Sequence, residues 1–303
     1  MVFNPDNDIP DLSGKVVLVT GGNIGLGRET VLQISKHNPA HIYLAARSKA
    51  KAESAIAEID AEAPNHAPIS FLELDLSSFE SVKQAASTLN AASDRLDILI
   101  NNAGIMGTPP GTTKEGYEMQ FGTNHMGHAL LTKLLLPKLQ QTATKASGSD
   151  VRVVTLASDG YKMAPSLPYP LDKLKTEMAD YRTLGKYGLS KLANIHYTQE
   201  LAKHNPDIKC IVVHPGAVST NLSSSMTTQW PILKFPLMLL QALVLNTVQT
   251  GSRNQLWAAV SPEAKSGSYY IPVGKESHNA VIDDSQAAQD LWEWTENELK
   301  SHM

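Results

Sequence analysis

Apolar residues follow two alternating rhythms along the chain. Short runs rich in β-branched residues, with little polar interruption, recur at 15–20 (KVVLVT), 41–46 (HIYLAA), 69–74 (ISFLEL), 96–101 (LDILIN), 151–157 (VRVVTLA), 208–214 (IKCIVVH) and 267–272 (GSYYIP). Between them lie longer amphipathic stretches at 28–37, 49–61, 79–91, 121–140, 187–204 and 251–260, which predict helices. A strand with one wet face alternates apolar and polar residues, whereas these runs are apolar throughout and so require cover on both faces. Strands of that kind separated by helices predict an α/β fold, a doubly wound parallel sheet between two helical layers. Two connections exceed what such a fold needs, 160–185 with Pro165, Pro168 and Pro170, and 219–231. Long loops of this kind are usually functional or mobile.

Composition narrows the class without changing it. The 303 residues are 42% apolar, with no linker, repeat or low-complexity segment. A formal charge of −4 with both signs scattered gives no nucleic-acid footprint. The single cysteine, Cys210, sits in an apolar run and reads as a buried small hydrophobe. The opening MVFNPDNDIPDLSGK has neither a basic n-region nor an apolar h-region, so a cytoplasmic, reducing setting is expected. The apolar stretch 230–248 is broken by Lys234, Pro236 and Gln241 and is short for a membrane span. It reads first as a lid helix over an apolar pocket, with membrane-surface contact or an oligomer contact as lesser readings.

Chemistry concentrates where these strands end. The first strand runs into TGGNIGLG, with Gly21, Gly25 and Gly27 spaced G-x-x-x-G-x-G ahead of a helix. Glycines at a strand-to-helix turn let backbone N–H groups approach a pyrophosphate. The second strand ends in LAARSKAK, offering Arg47 and no carboxylate, which suits the 2′-phosphate of NADP(H) rather than the free ribose of NAD. Asp75 closes the third strand, as an adenine contact, the N-cap of the following helix, or both. The fourth ends in NNAG, with Asn102, Ala103 and Gly104. Tyr187 and Lys191 lie four apart on a helix. A cation about 4 Å from a phenol, at an effective dielectric near 20, supplies about 4 kcal/mol, enough to lower a tyrosine pKa by about three units. His125 and His128, spaced i,i+3, have no third ligand and read as structural, with no metal expected. His214 reads as a turn residue.

Together, TGGNIGLG, NNAG, YGLSK and HPGAVST resemble the short-chain dehydrogenase/reductase family in order and spacing from about residue 15 to 220, and SGSYYIP also fits. LAARS, FGTNHMGHALLT, YGLSKLAN and the long loop before the tyrosine resemble its retinol-dehydrogenase-like subgroup. The resemblance implies a single Rossmann-like domain in three α/β/α layers, with a cofactor half at about 12–150 and a catalytic half at about 151–280 that includes a lid at 219–248. It implies a catalytic set of Asn124, Ser158, Tyr187 and Lys191, although relatives usually carry two serines where this chain has Ala157 and Ser158. Tyr187 would be the general acid/base, Ser158 would bond the same substrate oxygen, and Asn124 would hold a water linking Lys191 to bulk solvent. Cofactor contacts would come from Gly21, Asn23, Gly25, Leu26 and Gly27, from Arg47, Asp75 and Leu76, from Asn102, Ala103 and Gly104, and from Tyr187 and Lys191. Pro215 and Gly216 would join them, with Val218 and Thr220 at the nicotinamide amide and pyrophosphate. The expected function is NADP-dependent interconversion of a carbonyl and an alcohol on a small apolar substrate, by an enzyme able to form a homodimer. The alternative is a catalytically silent dinucleotide-binding regulator.

Overall fold

A computed structural model describes residues 3–145, 149–218 and 247–303. Among these residues eight strands form one sheet in the order β3-β2-β1-β4-β5-β6-β7-β8. The strands are β1 Val16–Thr20, β2 His41–Ala46, β3 Ile69–Glu73, β4 Ile98–Asn101, β5 Arg152–Leu156, β6 Lys209–Val213, β7 Tyr269–Ile271 and β8 Lys275–Glu276. All seven expected strands are present, each trimmed by no more than a few residues, and β1 to β7 pair in parallel. Only the two-residue β8 runs antiparallel, on β7.

The absence of polar alternation now has a direct cause. On β1, Val16 and Leu18 enter one core while Val17 and Val19 enter the other. The first core is roofed by α4 Phe79–Ala92, the long helix α5 (119–144) and α6 Thr183–His204. The second is roofed by α2 Gly25–Ser35, α3 Lys49–Glu62 and α7 Val248–Val260. A short α1, Pro5–Asp8, precedes β1. The order reverses between β1 and β4, which opens a crevice at the strands' carboxyl ends.

Three features depart from the expected pattern. α5 begins at Met119–Phe121, widens into a π-helical turn at Gly122–Met126 and continues as Gly127–Thr144. A C-terminal helix, α8 Ser285–Leu299, was not expected; Asp284 caps it and accepts the Ala287 N–H at 3.0 Å. Its Trp294 meets Tyr117 and Phe121 edge-on, and its Trp292 stacks on Tyr197. The 160–185 loop is packed rather than free: Tyr169, Leu174 and Met178 are buried, and the Tyr169 hydroxyl lies 2.8 Å from His196 Nδ1. The 219–231 loop and most of the 230–248 stretch fall outside the described residues. Among the described residues no helix is long and apolar enough to cross a membrane.

Candidate active site

The glycine turn is tight because its parts touch. Gly21 (φ +64°) and Gly25 (φ +54°) adopt left-handed backbone, which glycine does at little cost. A Cβ on Gly27 would fall on the Gly21 carbonyl oxygen and 2.6 Å from Asn102 Nδ2. Ile24, the N-cap of α2, makes no side-chain cap hydrogen bond. Donors at this helix start therefore have no side-chain acceptor, and the glycines leave room for a phosphate to reach them, so the turn fits a dinucleotide pyrophosphate. Asn23 and Leu26 line the same turn.

Asn102 is a clamp: its Nδ2 donates to the Thr20 carbonyl at 2.7 Å, tying β4 to the turn. Gln255 Nε2 on α7 reaches Thr30 Oγ1 at 2.5 Å and Asn102 Oδ1 at 3.3 Å. A Cβ on Gly251 would run into Val218 and lie 3.0 Å from Leu26. Gln255 and Gly251 were not anticipated, since nothing local marks a helix so distant in sequence as the backing of this turn.

At the next strand ends, Arg47 is exposed and forms no ion pair among the described residues, whereas neighbouring Lys49 pairs with Glu53. Asp75 does not cap α4; Ser78 does, accepting the Ser81 N–H. Asp75 Oδ1 instead accepts the Ser77 N–H (3.0 Å) and hydroxyl (2.7 Å), an Asx turn that withdraws the carboxylate from the helix start. Leu76 is buried, and its carbonyl packs so closely on Gly127 that no side chain fits there.

Asn124 sits inside the π-turn, where the Gly127 N–H reaches back to Gly122 O. Such turns recur at functional sites. The Asn124 side chain spends both its donors: Oδ1 accepts the Ile105 N–H (2.8 Å), and Nδ2 donates to Ile105 O and to Ser190 Oγ (2.9 Å each). A water at this residue would therefore have to donate to it, at the second lone pair of Oδ1 or at the backbone carbonyl. Gly104 forms the facing wall, where an added Cβ would lie 3.3 Å from Lys191 Nζ and 3.4 Å from Asn124 Oδ1.

Two unanticipated glycines bring Ser158 to Tyr187. Ser158 caps the 3-10 turn Asp159–Met163, its Oγ accepting the Gly160 N–H at 3.0 Å. A Cβ on Gly160 would lie 2.7 Å from Tyr187 Cε1 and 3.2 Å from Ser158 Oγ. A Cβ on Gly188 would lie 2.6 Å from Ala164 N and 2.7 Å from Gly160 O. The turn thus rests directly on α6 and sets Ser158 Oγ and the Tyr187 ring on either side of Gly160. His214 accepts the Asp159 N–H at Nδ1 (3.4 Å), and burial lowers its pKa. Pro215 and Gly216 follow it, Gly216 with φ +86°; Thr220 lies outside the described residues.

The electrostatics of the Tyr187–Lys191 pair differ from the expected tuning. Lys191 Nζ donates to Leu156 O (3.1 Å) and stands 5.8 Å from the Tyr187 ring centre. Burial dominates both groups. It raises the phenol, against a lowering hydrogen bond from Ser158, and it lowers Lys191 to about 8. Burial, rather than the neighbouring cation, is thus the leading influence on the phenol, and it acts against the expected lowering. His125 and His128 are likewise buried and held down to about 3 and about 4. Burial pushes the Cys210 thiol up to about 12.

A family profile for short chain dehydrogenase matches residues 15–168. A short-chain dehydrogenase/reductase of Aspergillus calidoustus, drtF, is 39% identical, over 96% of each chain. The chain belongs to the short-chain dehydrogenase/reductase family. Human retinol dehydrogenase 13 is 33% identical, over 93% of this chain and 83% of its own, supporting membership of the retinol-dehydrogenase-like subgroup. Among solved structures, an uncharacterized protein from Mycobacterium paratuberculosis superposes with a TM-score of 0.75 at 28% identity, over 98% of this chain and 97% of that one. NADPH-bound carbonyl reductase from chicken fatty liver shares the fold, with a TM-score of 0.64 at 23% identity, over 88% and 100%. As a member of this family the protein is an oxidoreductase of CH–OH and C=O groups that uses a nicotinamide dinucleotide.

Proposed function

We propose that this short-chain dehydrogenase/reductase uses NADP(H) to interconvert a carbonyl and an alcohol on a small apolar substrate, with Tyr187 as general acid/base. The observation that carries the reading is the convergence of buried Tyr187, Lys191 and Asn124 with half-buried Ser158 beside the glycine turn. The reduced nicotinamide supplies the hydride. A phenol raised by burial keeps its proton at neutral pH, so Tyr187 serves as proton donor to a carbonyl oxygen. Ser158 Oγ is held by the Gly160 N–H and has its hydroxyl proton to offer the same oxygen. Lys191, fixed to Leu156 O, directs its charge toward the wall at Gly104 and would hold the nicotinamide ribose. Two relatives, human retinol dehydrogenases 13 and 14, carry an apolar alcohol in their names, which supports an apolar substrate here. The lid would be formed by the 219–248 stretch, most of which lies outside the described residues.

Turnover of a panel of apolar aldehydes and ketones with NADPH tests the reading. Binding of NADPH without turnover on any member would favour a silent regulator instead. Selectivity for NADP(H) has its own test. Arg47→Ala is expected to weaken NADPH about tenfold or more while leaving NADH within a factor of two or three, since one charge-assisted hydrogen bond is worth about 1.5–3 kcal/mol. An unchanged NADPH/NADH preference would overturn it.

Lys191 predicts the pH dependence. Its folded pKa is depressed to about 8, so its charge is present below that pH and lost above it, while Tyr187 stays protonated throughout. The kcat/KM for carbonyl reduction should therefore fall as pH rises through about 8. A basic limb found only above about 10, where a free phenol titrates, would assign the loss to Tyr187 instead.

A further inference from the structure

The buried imidazole of His128, one turn beyond Asn124 on α5, joins elements far apart in sequence. Its Nδ1 lies 3.0 Å from the Asn124 carbonyl oxygen, and its Nε2 lies 2.8 Å from the Thr20 hydroxyl at the end of β1. A carbonyl only accepts, so Nδ1 carries the hydrogen. A neutral imidazole has one N–H, so Nε2 is the acceptor and Thr20 the donor. The count at Thr20 agrees. Its Oγ1 accepts the Ala103 N–H (3.0 Å) and the Asn102 N–H (3.0 Å, shared with Ile100 O), which occupies both lone pairs and leaves its own hydrogen to give, with His128 Nε2 at 2.8 Å a closer acceptor than Ile100 O at 3.4 Å. Burial, the Asn124 hydrogen bond and the Lys191 cation act on this ring, and the balance keeps it neutral at physiological pH.

We propose that His128, as its Nδ1–H tautomer, is a positioning residue that locks the glycine turn, the NNAG turn and the Asn124 segment into one arrangement. The proposal rests on the functional reading above. Thr20 leads into the turn at Gly21, and its hydroxyl fixes the Asn102 and Ala103 amides; a Cβ on Gly21 would lie 3.1 Å from Ala103. Gly104, the next residue, faces both Lys191 and Asn124. Asn124 in turn holds Ile105 and Ser190, the residue preceding Lys191. A slackened ring would therefore shift the pyrophosphate cradle and the wall beside Lys191 together. Displacements of about 1 Å remote from the chemistry can cost about a hundredfold in rate.

Nitrogen NMR of the wild-type protein, with His128 assigned by difference against His128→Gln, reads the tautomer directly. A proton on Nδ1 from pH 5 to 8 is expected, and a proton on Nε2 overturns the proposal. In kinetics, His128→Gln keeps one donor and one acceptor and should stay within a few fold of wild type. His128→Leu should lower kcat roughly ten- to a hundredfold and weaken NADPH in parallel. Thr20→Val, which removes only the hydroxyl, should reproduce that loss, and the double variant should be no worse than either single one. Should His128→Leu not fold, Thr20→Val carries the kinetic arm. Full activity in folded His128→Leu or Thr20→Val, beside a wild type that turns over and a dead Tyr187→Phe, sinks this proposal alone. A wild type with no turnover sinks the functional reading.

Discussion

Tyr187→Phe is expected to lower kcat for carbonyl reduction by roughly 10²–10⁴-fold, the usual contribution of a positioned acid. NADPH affinity should move by no more than a few fold. The substitution is clean because the aromatic ring, not the hydroxyl, packs at the turn: the ring fills the space a Gly160 side chain would need and lies 5.8 Å from the Lys191 ammonium. What is lost is the proton and the influence of Ser158 on it. Burial raises the phenol's pKa, a sign that this hydroxyl is poorly solvated, so its removal should leave the melting temperature unchanged or slightly higher. Steady-state kinetics, a fluorescence titration of NADPH and a thermal melt on the two proteins check all three. A variant retaining more than a tenth of wild-type kcat would remove Tyr187 from the acid's role.

The sheet was legible because a strand buried on both faces must be apolar throughout, and β1 divides its side chains between two cores to show why. The glycine turn and Asn102 were legible for a similar reason, since their spacing is set by local backbone geometry. The C-terminal helix was not, because its buried stripe is narrow: Ala287, Ala288, Leu291, Thr295 and Leu299 stand among acids and amides. At the site, helical spacing brings Lys191 to Tyr187 but says nothing of solvent exclusion, and it is desolvation that sets the pKa of both. Asp75 was ambiguous because an Asx turn and an N-cap use the same carboxylate. The Gly160–Gly188 approach, the Gln255 backing and the His128 bridge join residues from 28 to more than 200 positions apart, beyond the reach of any local pattern.

Gly27→Ala should raise the NADPH dissociation constant by at least tenfold and by as much as about a hundredfold, with no comparable loss from Gly22→Ala. The contrast lies in what each added methyl would meet. At Gly22 the two nearest atoms belong to side chains, Leu44 Cγ at 2.9 Å and Val31 Cγ2 at 3.2 Å, and the nearest backbone atom, Val19 O, stands off at 3.3 Å, so the strain falls on core packing and costs stability. At Gly27 the obstacle is the Gly21 carbonyl, with Asn102 Nδ2 at 2.6 Å. Neither can yield freely. Gly21 is held by its N–H to Ala45 O at 2.8 Å, and Asn102 Nδ2 is held by Thr20 O at 2.7 Å. The turn itself must open, and an opened turn misdirects the N–H groups that would receive the pyrophosphate. Overpacking of this kind costs about 1–3 kcal/mol. Borne by the binding-competent arrangement, that is about one to two powers of ten in affinity. Titrations of both variants with NADPH, beside their melting curves, separate the two effects. Equal weakening by the two alanines would mean that the turn is sensitive to bulk in general rather than to the Gly27–Gly21 approach, and a Gly27→Ala protein that binds as wild type would remove this turn from the cofactor site.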